Sequence, residues 1–179
     1  VGSAERIKNV AKLVTGKGCN VVVLSAMSGT TNTLVEISDY LYKGNAAGAL
    51  ETINALEVKY NSTIDSLFDV EEFRQKAIVE VRGCFNYMRQ FVKPDFTEVD
   101  EKEILSQGEL MSTAMMNIYL HMNGYNSEVL PALEYVRTDA KDEPDMPYIK
   151  QRLAALMAKY PDVDLYITEG YICRNHRGE

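Results

Sequence analysis

The sequence has little with which to build a disulfide or metal scaffold. Its 179 residues hold three cysteines, Cys19, Cys84 and Cys173, an odd number with no close spacing. That excludes a disulfide framework and fits a reducing compartment. Two histidines, His121 and His176, lie far apart, so a His/Cys metal cluster is not expected. Long apolar runs are also missing: the β-branched stretch Val21-Val22-Val23-Leu24 is far shorter than the roughly 20 residues that span a bilayer. Nothing reads as a signal peptide. Basic residues are in deficit, 19 Lys and Arg against 26 Asp and Glu for a net charge of −7. They are scattered among acids, which argues against a phosphate-backbone binder. There is no internal repeat and no low-complexity linker. These absences leave a soluble, cytoplasmic protein with no nucleic-acid and no membrane partner as the expectation.

What is present suits one ordinary domain, with 46% hydrophobic residues to build a core. Ile7, Val10, Ala11 and Val14 recur at helical spacing. Ser3 is the expected N-cap, Glu5 lies in the first turn, and Gly16 and Gly18 are the expected stop. A strand is expected over residues 20–25, then a helix with Leu34, Ile37 and Leu41 on one face and Gly44 as its end. Leu50, Ile53, Leu56, Tyr60, Ile64 and Leu67 form a second stripe, and Phe73, Ala77, Val81, Phe85, Met88 and Val92 a third, closed by Pro94. Ile104, Met111, Met115, Ile118 and Met122 mark a further helix ending near Gly124. Such stripes are read as packed core. Beyond Gly124, "SEVLPA" reads as a strand, "PYIKQRLAALMAKY" as a helix with Pro147 near its first turn, and "DLYITEGYI" as a strand or strand pair. Strands separated by helices imply an α/β fold with a mostly parallel sheet, into which residues of about 45–100 insert a helical hairpin.

Three stretches carry candidate chemistry. In "NVVVLSAMSGTTNTL" a strand hands over to a helix through a small polar loop. The first N–H groups of such a helix attract anions. Ser25, Ser28, Thr30 and Thr31 add hydroxyls, and Gly29 permits close backbone approach. The plainer alternative is that Thr30, Thr31 or Asn32 caps the helix. In "ILSQGELMS", Gly108 sits inside a helix, where it costs about 1 kcal/mol against alanine. Glu109 follows it among apolar neighbours. Buried, it needs a partner, which an amino-acid ammonium would supply; exposed, it is an ordinary surface acid. In "ITEGYICRNHRGE" a strand ends at Gly170, and Arg174 and Arg177 are read as solvated loop charges rather than phosphate ligands.

Together these stretches resemble the aspartate kinases, members of the amino-acid kinase family, in order and spacing along the whole chain. "VGSAERIKNVAKLV" looks like the continuation of the family's Lys-Phe-Gly-Gly-Thr-Ser-Val motif from its valine. "VVVLSAMSGTTNTL" looks like the second motif, "SQGELMSTAMMNIYL" like the Gly-Glu helix, and Arg137-Thr138-Asp139 and "ITEGYICRNHRGE" follow in the family's order. The resemblance implies a three-layer amino-acid kinase sandwich, helices on both faces of the sheet, with the helical insert of the aspartate kinases that carry an extended segment. It implies transfer of the ATP γ-phosphoryl group, with Mg²⁺, to the side-chain carboxylate of L-aspartate, the first step toward lysine, threonine and methionine. It matches Ser25 and Thr31 to aspartate-contacting hydroxyls, sets the Ala26 backbone beside them, and matches Glu109 to the glutamate that meets the substrate ammonium. Tyr171 takes the aromatic position near the substrate. Ser28, Thr30 and Asn32 are left as helix caps, and no metal ligand is assigned.

The family's catalytic lysine and phosphate-cradling glycines would precede Val1, and its Arg-Gly-Gly-Ser-Asp motif would follow Glu179, so the chain reads as a piece of a longer protein. No catalytic residue is assigned within it, and homo-oligomerisation through ACT domains is expected of the longer protein only. The rivals are a kinase of the same fold acting on glutamate, acetylglutamate or a nucleotide, a non-catalytic amino-acid sensor, and a helical interaction module built on residues 45–100. These 179 residues are expected to be catalytically silent on their own. ATP turnover by them above that of a Glu109→Ala variant would overturn this.

Overall fold

The computed structural model describes residues 2–16 and 21–179. The expected helix stop at Gly18, Cys19 and the strand start at Asn20 lie outside the described residues. Helix α1 (Ala4–Val14) begins where Ser3 accepts a hydrogen bond from the Arg6 N–H at 3.3 Å, and it buries Ile7 and Ala11. Strand β1 (Val21–Leu24) follows, then α2 (Thr30–Tyr42), which buries Leu34, Ile37 and Leu41 and gives way at Gly44 with φ 68°. Helices α3 (Ala46–Leu67) and α4 (Glu71–Arg89) fold back on each other as a hairpin. The α3 stripe is as expected except at its start: Leu50 is exposed, and Ala49 takes the core position.

Helix α5 (Glu98–Met122) is the longest element, opened by a capping box in which the Thr97 and Asp100 side chains each take the other's backbone N–H. It packs against α2, α4 and the sheet. The chain ends with β2 (Ser127–Val129), the short α6 (Ala132–Tyr135), α7 (Met146–Met157) with a proline in its first turn, and β3 (Leu165–Glu169). "DLYITEGYI" thus holds one strand, not a pair.

The three strands are parallel in the order β1-β3-β2, with Val22 opposite Ile167, Leu24 opposite Glu169 and Val129 opposite Ile167. Alternation along β3 divides the core. Leu165 and Ile167 face the large cluster built by α1 to α5, whereas Tyr166 faces a smaller one with Leu130, Ala132, Tyr135 and Leu156. A central parallel strand buried on both faces explains the unbroken burial of β3. On β1 only Val22 and Leu24 are covered; Val21 and Val23 are 45% and 63% exposed. The architecture is α/β with an all-parallel sheet, and helices cover both faces of its central strand β3. None of the described helices is long and apolar enough to cross a membrane.

The α3–α4 hairpin joins the same core through Tyr60 and Phe85, fully buried rings that meet edge to face at 5.7 Å. Phe85→Ala should therefore lower the unfolding free energy by about 3–5 kcal/mol, read by urea denaturation. A loss below about 1 kcal/mol would mean that the hairpin is not part of the cooperative core.

Candidate functional site

The carboxyl ends of β1 and β3 lie side by side, and the chain leaves both toward α5. After Leu24 it runs through Ser25, Ala26, Met27 and Ser28 into Gly29, whose φ of 80° is left-handed and suits glycine. Gly29 is itself the N-cap of α2, and no side chain caps that helix. The expectation that Ser28, Thr30 or Asn32 caps it is thus corrected. Thr30 is the first helical residue, and its hydroxyl meets the Tyr60 hydroxyl at 3.0 Å, both residues being fully buried. A long-range partner has taken the group that local reasoning assigned to the cap.

Helix α5 presses on this loop. A Cβ placed on Gly108 would stand 2.9 Å from the Ala26 Cβ and 3.3 Å from the Thr30 methyl. The helix-interior glycine is therefore a requirement of close approach rather than a relief of crowding within α5. The next residue, Glu109, is only 3% exposed. Its Oε1 accepts the Ala26 N–H at 3.2 Å and, at a longer 3.5 Å, the Ser25 hydroxyl. One turn on, the Ser112 hydroxyl donates to the Ser25 carbonyl at 2.8 Å. Ser25, Ala26 and Glu109 are thus joined directly, and the Ala26 N–H is already engaged by the acid.

Glu169, at the end of β3, is a second buried acid, and nothing in its local sequence sets it apart from a surface glutamate. Its Oε1 accepts the Thr113 hydroxyl at 3.0 Å and its Oε2 the Ala132 N–H at 2.7 Å. Among the described residues no lysine or arginine forms an ion pair with Glu109 or Glu169. Burial holds the Glu109 carboxyl above the usual carboxylate range, and the charge of Glu169 pushes the same way, against the hydrogen bonds from Ala26 and Ser25.

A cleft of about 440 Å³ opens beside this pair, with Thr31, Glu109, Leu133, Tyr171 and Arg174 among its walls. Thr31 is exposed in the first turn of α2. Tyr171 is 92% exposed at φ 68°, between Gly170 and Ile172, whose N–H closes back onto the Gly170 carbonyl at 2.9 Å. This γ-turn is a strained conformation for an aromatic residue, and it throws the ring out at the cleft's edge. Arg174 donates to the Leu133 and Gly178 carbonyls, and Arg177 pairs with Glu179 at 2.7 Å, both exposed, in keeping with ordinary loop charges. Arg137, from the Arg-Thr-Asp stretch, pairs with Asp145 at 2.6 Å and stacks on Tyr148, which holds its own loop.

A helix packed tightly against the loop after a parallel strand, with a buried acid at the contact, forms one wall of an open cleft at the carboxyl end of the sheet. No family model matches the sequence. Among curated proteins, the lysine-sensitive aspartokinase 3 of Escherichia coli K12 is 24% identical over 161 residues, 88% of this chain and 35% of the relative. Among solved structures, E. coli aspartokinase III with lysine and aspartate superposes with a TM-score of 0.85 at 20% identity. The same enzyme with aspartate and ADP gives 0.77 at 20%. The aspartate kinase of Clostridium acetobutylicum gives 0.76 at 13% identity. Each of these three covers 99% of this chain, while the chain spans only 38–40% of theirs. The resemblance to aspartate kinases read from the motifs therefore holds in sequence and in fold, over well under half of the relatives' length.

The buried acids make one stability prediction. Because the Glu109 carboxyl is held above its unfolded value, the folded chain binds the extra proton, so stability falls as pH rises through the interval between the two values. Glu109→Gln keeps an acceptor for Ala26 without the charge. It should raise Tm at neutral pH by about 2–4 °C for each kcal/mol relieved, and the gain should vanish under acid conditions. A Tm gain that does not change with pH would contradict this.

Proposed function

We propose that this chain forms the aspartate-binding part of an aspartate kinase, which moves the γ-phosphoryl group of ATP onto the side-chain carboxylate of L-aspartate to give 4-phospho-L-aspartate. The observation that carries the reading is Glu109, buried without a cationic partner among the described residues, at the wall of an open cleft and hydrogen-bonded to the loop after β1. The substrate ammonium is the missing cation. It would restore the ionised form of Glu109 and offset the cost of its burial. On this reading Ser25, whose hydroxyl donates to Glu109, and Thr31, at the cleft wall, would supply hydroxyls to the substrate, while the Ala26 backbone fixes the acid and Tyr171 borders the cleft. The E. coli structures, both in complex with aspartate and one of them with ADP, support aspartate and a nucleotide as the ligands.

Phosphoryl transfer asks a protein chiefly for positioning and charge neutralisation. The described residues supply the acceptor's half of that task. Among them no group of three acidic, histidine or cysteine side chains is gathered to hold a metal ion. The product is an acyl phosphate, and on this reading it is the first intermediate toward lysine, threonine and methionine.

The test is ADP release by the complete gene product with Mg²⁺-ATP, comparing L-aspartate with L-glutamate as acceptor, in wild type and Glu109→Ala. Aspartate-specific turnover is expected. Its kcat/KM should fall by about 10- to 100-fold in the variant, the kinetic equivalent of one lost hydrogen bond to a charged group. Aspartate binding is also expected to weaken as pH falls, with a midpoint above the usual carboxylate range. Turnover with glutamate alone, or none with either acid, would refute the reading.

A further inference from the structure

The loop between β1 and α2 is held from two sides, and α5 is only one of them. On the other side stands α3, from which two consecutive residues reach the loop on either side of Gly29. The Lys59 ammonium donates to the Ser28 carbonyl at 2.9 Å. The Tyr60 hydroxyl meets the Thr30 hydroxyl at 3.0 Å. The grip is close, since a Cβ placed on Gly29 would lie 3.6 Å from Lys59 Nζ.

The two contacts differ in kind. Tyr60 and Thr30 are fully buried, so the hydroxyl pair is shielded from competing water, and breaking it would strand two polar groups in the core. Burial also keeps the Tyr60 phenol neutral, raising its proton affinity well above that of an ordinary tyrosine. The Tyr60 ring leans edge-on against Phe85 of α4, which braces it. Lys59 is exposed and works at the rim, where it donates to a carbonyl left outside the helix. Thr30 joins the two sides: its hydroxyl belongs to Tyr60, while its methyl fills the space that Gly108 leaves open, 3.3 Å from a Cβ built there. Moving α3 therefore moves Thr30 against Gly108, and with it the Ala26 N–H that Glu109 accepts.

We propose that Lys59 and Tyr60 are positioning residues of the acceptor site, through which the α3–α4 hairpin sets the loop that presents Ser25, Ala26 and Thr31 to an amino-acid substrate. The proposal rests on the aspartate-binding reading of the cleft. It makes the hairpin part of substrate recognition, where it would otherwise be a decoration of the fold.

The experiment compares Tyr60→Phe, which keeps the ring and removes only the hydroxyl, with Lys59→Met and Lys59→Arg in the complete gene product. Tyr60→Phe and Lys59→Met should each raise the KM for aspartate by about three- to tenfold, the effect of one hydrogen bond. The KM for ATP should stay unchanged and kcat should change by less than about twofold. Lys59→Arg should restore the wild-type KM. In parallel, amide hydrogen exchange on this chain should show residues 25–32 exchanging faster in Tyr60→Phe and Lys59→Met, with α5 unaffected. Equal rises in both KM values, or unaltered KM for aspartate with unaltered loop exchange, would overturn the proposal. Should the wild-type protein not phosphorylate aspartate, the functional reading fails separately, and faster exchange of residues 25–32 without change in α5 still decides whether Lys59 and Tyr60 hold the loop.

Discussion

The contact between Glu109 and the Ala26 N–H is the constraint on which the rest of this structure depends. A carboxylate placed inside a protein needs a cation or several donors. Here it has one backbone N–H, a long bond from Ser25, and a second buried acid behind it in Glu169. Such an arrangement is not what stability alone would select. Neighbouring features of the fold are explained by the need to maintain it. Gly108 has no side chain because α5 must reach the loop. Ser112 holds the Ser25 carbonyl so that the loop cannot drift from the acid. The two carboxyl ends of β1 and β3 are adjacent because the strands are paired in parallel, Leu24 beside Glu169, which is the usual place for a ligand in an α/β sheet.

Much of this was legible in the sequence, and the reason is periodicity. The stripes of α2 to α5 name the core correctly because a helix that buries one face must repeat apolar residues at its own spacing. Ile53, Tyr60, Ile64, Val81, Phe85 and Met115 are all deeply buried. The exception, Leu50 giving way to Ala49, is a one-residue rotation at the first turn, where periodicity has the fewest neighbours to fix it. Glu109 could be singled out because a glycine before it and apolar residues around it are both unusual for a surface acid. Glu169 could not, since a glutamate near a strand end looks like any exposed charge. Its partners Thr113 and Ala132 are 56 and 37 residues away. The cap of α2 was misread for the same reason. Thr30, Thr31 and Asn32 are all good caps in isolation, but the tyrosine that takes the Thr30 hydroxyl stands on a different helix.

The sheet shows how local pattern and layering part company. "VVVL" and "LYITE" are both strongly β-forming, and nothing in either says which will be covered twice. The order β1-β3-β2 decides it. The central strand has a helical layer on each side, and the edge strand β1 has one. The open face of β1 reaches the turn that borders the cleft. Its exposed Val23 lies 3.1 Å from where a Cβ on Gly170 would be, just before the strained Tyr171. The least covered part of the fold is thus continuous with the part that carries the candidate chemistry.

A site built on an unpaired acid is at odds with its own fold until the ligand arrives. Two like charges in a shielded place repel, and ionising Glu109 without a cation costs stability. On the proposed reading, an ammonium entering the cleft would reverse both terms at once, and charge, more than shape, would tell an amino acid from a neutral acid of the same size. Shape is left to the loop, whose Ser25 and Thr31 are separated by the tight turn at Gly29 and cannot be set independently of it. A loop of small residues is flexible by composition, yet this one is tied by Ser112 and Glu109 on one flank and Lys59 and Tyr60 on the other. Precise placement of a reacting carboxylate requires such restraint, because a displacement of about 1 Å can cost 100-fold in rate. Half of that restraint comes from α3, which forms no wall of the cleft, and half from α5, whose Glu109 is one of its walls.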